Sequence, residues 1–141
     1  WVDLFNYSFS DPSWDGTANF CVKGITGPRH APELRISSIS ASKGFTVVVK
    51  DIGNAPASNT TLSANASGGL FIKIKNPQIA LGGIAVNQTK SCTIQIFGLG
   101  LGVVKKLLPL PQMTITVTAD DAAPATRTLT FRLFGSHVVT V

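Results

Sequence analysis

The sequence is poor in charged residues, which make up 13% of its 141 positions, about half the share of an ordinary soluble domain. The net charge of +5 reflects a shortage of acids, because seven Asp and Glu stand against twelve Lys and Arg. The basic residues are scattered and do not interleave with aromatic residues, as a nucleic-acid groove would require. We therefore expect no nucleic-acid partner and a surface covered largely by Ser, Thr, Asn and Gly.

Side chains suited to catalysis are scarce, since the chain has only two histidines. Ser136, His137 and Asp120 can be written as a nucleophilic triad, but the Gly-x-Ser-x-Gly turn that would present such a serine is missing. A histidine at the start of a strand is more often an ordinary surface residue. The sequence therefore predicts a protein that is not an enzyme.

Metal-binding patterns are also weak. Calcium takes six to eight oxygen ligands, and the acids Asp11 with Asp15 and Asp120 with Asp121 are the candidates to supply them. The first pair lacks the alternating ligands of an EF-hand, and the second fits a plain turn. No His and Cys residues have zinc spacing. We expect no cofactor, and solvated turn acids rather than a structural calcium site.

A long hydrophobic run is missing as well. The nearest candidate, residues 94–110, is interrupted by Lys105 and Lys106 and by Gly and Pro, so we expect no membrane span. The sequence starts at Trp1 rather than Met, which we interpret as removal of a signal peptide or as the start of an expressed fragment.

Two cysteines, Cys21 and Cys92, permit a single bridge across a long loop. In an oxidising compartment this disulfide would stabilise the fold by about 3 to 5 kcal/mol on the chain-entropy estimate. The alternative is a pair of buried free thiols. We expect the disulfide, because other features of the chain indicate an extracellular location.

The strongest of these features is a set of N-x-S/T triplets, which begin at four of the seven asparagines: Asn6, Asn59, Asn65 and Asn87. Transfer of an N-linked glycan needs this hydroxyl two residues on, and the modified asparagine must face solvent. We therefore predict N-linked glycans at these positions and a secreted protein at the cell surface. The alternative is that a chain rich in Ser and Thr accumulates such triplets by composition.

The residue pattern favours strands nearly everywhere, because β-branched and aromatic residues alternate with polar ones between Gly, Pro, Asn and Asp. Strands are predicted at residues 2–9, 20–25, 34–40, 45–51, 60–65, 70–75, 91–97, 113–119 and 126–134, with a further one possible at 137–141. Short strands at this spacing are typical of an all-β sandwich. We predict about eight or nine strands in one domain at residues 19–141, preceded by an N-terminal segment at 1–18.

Part of the chain resembles a known family. The run FTVVVKDIGNAPASNTTLSANA at 45–66, followed by GGIAVNQTKSCTIQIFG at 82–98, resembles the Ig-like sandwich repeats of prokaryotic surface proteins, the CARDB and related adhesion-type domains. The matching positions are 47–50, 53–57, 60–62, 83–89 and 93–96, and Asp51 stands where the family usually has Asn. The resemblance covers about forty per cent of the chain and implies an Ig-like sandwich, not an activity.

The N-terminal segment carries an unusually apolar strand pattern for a chain terminus. In an extended conformation Phe5, Tyr7 and Phe9 lie on one face, and Val2 and Leu4 lie on the other with Asn6. One interpretation is an edge strand of the chain's own sandwich. The other is a donor strand, defined here as residues 2–9, that inserts into a neighbouring subunit and completes its sheet.

In architecture and composition the chain resembles the glycosylated subunits of archaeal surface filaments, the threads and bundling pili assembled by donor strands. The resemblance implies a structural subunit of an extracellular filament whose partners are copies of itself, with Val2, Leu4, Phe5, Tyr7 and Phe9 at the joint. The apolar stretch from Phe97 onward fits a further contact between subunits or an internal crossover. The alternative function is an adhesion or carbohydrate-binding module, with Trp14 as a stacking residue.

Overall fold

The computed structural model describes residues 30–101 and 110–141. The predicted strands at 2–9 and 20–25 lie outside these ranges, together with Asn6, Trp14 and Cys21. The described residues contain no helix, and so none with the length and apolar character needed to cross a bilayer. They form ten strands: β1 Leu34–Ser42, β2 Gly44–Asp51, β3 Ala57–Ser67, β4 Leu70–Ile74, β5 Gln78–Ile84, β6 Thr89–Ile94, β7 Ile96–Gly100, β8 Gln112–Asp120, β9 Ala125–Gly135 and β10 His137–Thr140.

The predicted all-β sandwich is confirmed. The described residues form ten strands, whereas the sequence predicted seven and a possible eighth in these ranges. Strand β5 was not predicted, because Gly82 and Gly83 near its end weaken the strand pattern, although Ile79 and Leu81 alternate as a strand should. The predicted strand at 91–97 is divided at Gln95 into β6 and β7. The chain passes from one sheet to the other at this break.

The strands form two sheets that enclose one core. The smaller sheet has the order β1-β2-β6, and the larger has the order β4-β7-β9-β8-β3-β5, with β10 also paired to β9. All pairs are antiparallel. The central strand β2 contributes Phe45, Val47 and Val49, which are fully buried. The ring of Phe45 meets that of Phe131 edge to face at 5.0 Å between centroids, which joins the two sheets.

Strand β9 holds the larger sheet together. Its first half pairs with β8, from Ala125 opposite Val117 to Thr130 opposite Gln112. Its second half pairs with β7 and with β10, so Leu133 lies opposite both Gly100 and Val138. The 11 residues of β9 therefore run through both parts of the sheet without a break.

The motif that carries the family resemblance builds the turn between β2 and β3. Asp51 is completely buried, and its carboxylate accepts backbone N–H bonds from Glu33 at 3.2 Å, Gly53 at 2.9 Å and Ala57 at 3.1 Å. Gly53 is required because a Cβ there would lie 2.4 Å from the backbone nitrogen of Glu33. Asn54 accepts a bond from the N–H of Ala31 at 2.9 Å. These residues therefore have structural roles.

Candidate functional site

Three phenylalanines of the larger sheet are exposed, and we call them the aromatic face: Phe71 on β4, Phe97 on β7 and Phe134 on β9. Their exposed fractions are 87%, 62% and 68%. Phe134 lies opposite Leu99 and so shares its side of the sheet with Phe97, two residues before Leu99. Lys73 lies opposite Phe97 and places a positive charge beside the rings.

The backbone at Phe71 is strained. Its φ is +53°, in the left-handed region that bulky residues rarely occupy, and the pairing of β4 with β7 is irregular between Leu70 and Lys73. Such a conformation costs a non-glycine residue about 1–2 kcal/mol. Strained backbone is concentrated at active sites and binding sites, which makes Phe71 a candidate contact residue.

A second feature is an open edge on β9. The N–H of Phe131 donates to the carbonyl of Pro111 at 3.1 Å, on the β8 side, whereas the carbonyl of Thr130 accepts from the N–H of Val141 at 3.1 Å. These two groups belong to one peptide unit and point in opposite directions, so β8 and β10 flank β9 on opposite sides. Within residues 30–101 and 110–141, β10 has no continuation, and the edge of β9 at 125–129 is unpaired on that side. We call it the open edge.

The core-facing side of β9 is incompletely covered at the open edge. Phe131 and Leu133 are fully buried, but Leu129 and Ala125 are only half-buried and Arg127 is exposed. Arg127 nevertheless lies opposite Ile115, which is fully buried, so its Cα is on the core-facing side. The nearest part of the smaller sheet is β1, which pairs with β2 alone among the described strands. The seam between β1 and β9 therefore lacks a strand in the described part of the chain.

The predicted glycosylation sites that the structure describes face solvent. Asn59, Asn65 and Asn87 are all exposed. Asn59 and Asn87 have φ values of 50° and 62°, in the left-handed region that asparagine tolerates better than most residues, so both also have a conformational reason to be asparagine. Asn65 is not among the residues with positive φ, which makes its triplet the most informative of the three.

The predicted disulfide has one described partner. Cys92 lies on β6, at the edge of the smaller sheet opposite β1, and is half-buried against the core. Burial raises the pKa of its thiol above the ordinary value of 9.0. The bridge to Cys21 itself remains a prediction, because Cys21 lies outside the described residues.

The residues of the conceivable triad are not brought together. Asp120 ends β8 beside the start of β9, whereas Ser136 and His137 follow its end, about 33 Å away for a strand of this length. The carboxylate of Asp120 instead accepts a hydrogen bond from the side-chain nitrogen of Asn59 at 2.5 Å. In the described part of the chain, no three His, Cys, Asp or Glu residues are grouped closely enough to hold a metal ion.

Comparison of the chain with protein-family models, with curated proteins and with solved structures found no significant match.

Proposed function

We propose that this protein is a structural subunit of an extracellular, glycosylated filament that assembles head to tail by strand donation. The donor strand of one copy enters the sandwich of the next and completes it. The contact joins two different surfaces, so it does not close on itself and propagates into a polymer. The role is architectural and needs no catalytic residue.

The observation that carries the proposal is the open edge of β9. Among residues 30–101 and 110–141, the core-facing side chains Ala125 and Leu129 are only half-buried, and no strand pairs with this side of β9 at 125–129. The described part of the sandwich is therefore incomplete at this edge. Addition of one strand would supply both kinds of contact. The donor strand offers three aromatic side chains on one face, which suit such a seam.

The surface supports an extracellular location. The three described triplet asparagines are exposed, as N-linked glycans require. The outer side of β8 and β9 is lined by threonines, with hydroxyl contacts between Thr114 and Thr128 at 3.2 Å and between Thr116 and Thr126 at 3.3 Å. A neutral hydroxyl surface of this kind keeps a chain with little charge in contact with water.

Truncation tests the proposal. Removal of residues 1–9 from the full chain should leave a folded protein that sediments as a monomer and gives no filaments in negative-stain electron microscopy. A matched pair of variants separates the two faces of the strand. Replacement of Phe5, Tyr7 and Phe9 by Ser should abolish polymers, whereas replacement of Val2 and Leu4 by Ser should weaken them less. Filaments of unchanged length from the truncated chain would rule out the proposal.

The aromatic face favours a second candidate, an adhesion or carbohydrate-binding module. Sugars stack on exposed aromatic rings, and Phe97 and Phe134 lie diagonally from each other on the same side of neighbouring strands. This function predicts a monomer that is retained on a polysaccharide column and released when Phe97 and Phe134 are changed to Ala. A monomer of the full chain that shows this retention would favour the module over the filament.

A further inference from the structure

We infer that the open edge of β9 is the acceptor for the donor strand of a second copy, and that Asp3 of the inserted strand pairs with Arg127. This inference rests on the proposed function and identifies the surface at which it occurs. The occupant is residues 2–9 of another copy of this chain. Insertion of the chain's own N-terminal segment is the outcome that the experiment below must exclude.

The alternation of a strand places the two charges on the same side of the sheet. Asp3 shares its face of the donor strand with Phe5, Tyr7 and Phe9, since all four are odd-numbered positions. If the aromatic side chains enter the seam, the carboxylate of Asp3 must point the same way. Arg127 is an exposed residue with its Cα on the core-facing side of the open edge. The guanidinium of an exposed arginine at this position can meet a carboxylate from an incoming strand.

The acidic and basic residues are also unevenly distributed between the N-terminal segment and the sandwich. Residues 1–22 contain three acids (Asp3, Asp11 and Asp15) and neither Lys nor Arg. Residues 23–141 contain all twelve basic residues and the remaining four acids. The N-terminal segment and the sandwich therefore carry opposite net charges and attract each other, which increases the rate of encounter.

Small residues lie at the beginning of β9 and in the turn before it. Residues 122, 123 and 125 are all alanine, and Ala122 and Ala125 are only partly buried against the core. A donor strand antiparallel to β9, with Asp3 opposite Arg127, places Phe5 opposite Ala125, the first residue of β9. A small residue then lies opposite a large one, which is the combination that close packing favours.

Backbone groups complete the acceptor. In an extended strand the N–H and C=O of one residue point to the same side, and those of Thr130 point toward β10. Thr128 and Thr126 lie two and four residues earlier, so their N–H and C=O groups point to the same side. At these positions β10 does not pair with β9. The antiparallel register places Val2 opposite Thr128 and Leu4 opposite Thr126. Each of these pairs can exchange two hydrogen bonds, so the donor strand extends the line of β10.

The predicted disulfide bears on which edge of the sandwich is available to the donor strand. A bridge from Cys21 to Cys92 would hold the region around residue 21 near β6, which is the edge of the smaller sheet opposite β1. The seam between β1 and β9 then stays available to the donor strand of another copy.

A charge exchange between two variants tests the inference on the full chain. Asp3→Arg and Arg127→Asp each place like charges together, so each variant alone should need at least about tenfold more protein to form filaments. The two variants mixed in equal amounts should polymerise near the wild-type concentration, because each donor strand then finds an opposite charge in the other variant. The double variant D3R/R127D should do the same. Arg132→Asp, on the same strand but on its outer side, is the matched control and should assemble within about twofold of wild type.

The possible outcomes separate this inference from the proposed function. If the truncated chain loses filaments but R127D polymerises like wild type, the acceptor lies elsewhere and the filament proposal stands. If the single variants fail and the double variant recovers while the mixture does not, the strand is inserted within its own chain, and the inference is wrong. Thermal unfolding of truncated R127D and truncated wild type should agree, which shows that the substitution acts on assembly and not on folding.

Discussion

Asp51 and Ala57 are joined by a hydrogen bond of 3.1 Å from the backbone N–H of Ala57 to Oδ2 of a completely buried carboxylate. This bond ties the end of β2 to the start of β3, and therefore one sheet to the other. The other carboxylate oxygen accepts from Glu33 and Gly53, so both oxygens have donors. The side chain of Asp51 therefore serves only as a hydrogen-bond acceptor.

We expect Asp51→Asn to destabilise the fold by about 1–3 kcal/mol, because one carboxylate oxygen is replaced by an NH₂ group that faces a backbone donor whichever way the amide turns. Urea denaturation of wild type and variant measures the loss. Asp121→Asn, at an exposed turn, is the control and should change stability by less than about 0.5 kcal/mol. Equal stability of D51N and wild type would contradict the assigned role of the carboxylate.

Phe71→Gly should raise the free energy of unfolding by about 1 kcal/mol, since glycine adopts the φ of +53° without steric cost and little buried contact is lost. Phe97→Gly, at a position without positive φ, should instead lower stability, because glycine weakens an ordinary strand position. Denaturation curves of the two variants show whether the free energy of unfolding rises in Phe71→Gly and falls in Phe97→Gly. A loss of stability in both would mean that Phe71 makes a stabilising contact.

Replacing the Ser or Thr of an N-x-S/T triplet removes the glycosylation signal but keeps the asparagine. The effect of the glycan can therefore be measured apart from the conformational role of the asparagine. Ser67→Ala removes the signal at Asn65 and leaves the asparagine in place, so the intact mass of the native protein should fall by the mass of one glycan. In protein made without glycosylation, Asn65→Gln should be neutral, whereas Asn87→Gln should destabilise because glutamine is less tolerant of a φ of 62°. An unchanged mass after Ser67→Ala would show that Asn65 carries no sugar.

The thiol of Cys92 should give a pH-dependent stability in Cys21→Ser, which leaves it unbridged. Burial raises the pKa of this thiol above 9.0, so the folded state binds a proton that the unfolded state has released. The corresponding stability is complete below pH 9.0 and is lost as the pH rises through the folded-state pKa. Alkylation by iodoacetamide should therefore reach half its maximal rate above pH 9.0, and Cys21→Ser/Cys92→Ala should lack the pH-dependent loss of stability.

Most of the fold could be predicted from alternation and turn residues. Strand β9 illustrates why, since Thr126, Thr128 and Thr130 alternate with core-facing Leu129 and Phe131, and this pattern also places Arg127 on the inner side. The turns at Gly53 and at Gly68 with Gly69 lie where the glycines indicated. Strand β5 escaped prediction because two of its seven residues are glycines, which are uncommon within strands.

The candidate surfaces were harder to predict, because they depend on which strands are neighbours. The sequence predicts that Phe97 alternates with core residues, but its closeness to Phe134 follows from the pairing of β7 with β9. The open edge of β9 likewise follows from which of the described strands pair with it, and no local pattern marks an unpaired edge. The left-handed backbone at Phe71 had no signal at all, since phenylalanine is among the residues least expected there.

The unbroken course of β9 determines how the subunit would carry tension. Antiparallel hydrogen bonds lie perpendicular to their strands. A pull directed along the open edge therefore loads the whole row of bonds between β8 and β9 in shear, and they must break together rather than unzip one by one. The same strand continues between β7 and β10, so the force is spread over three neighbours. A thread linked through β9 would therefore resist stretching most strongly along its own axis.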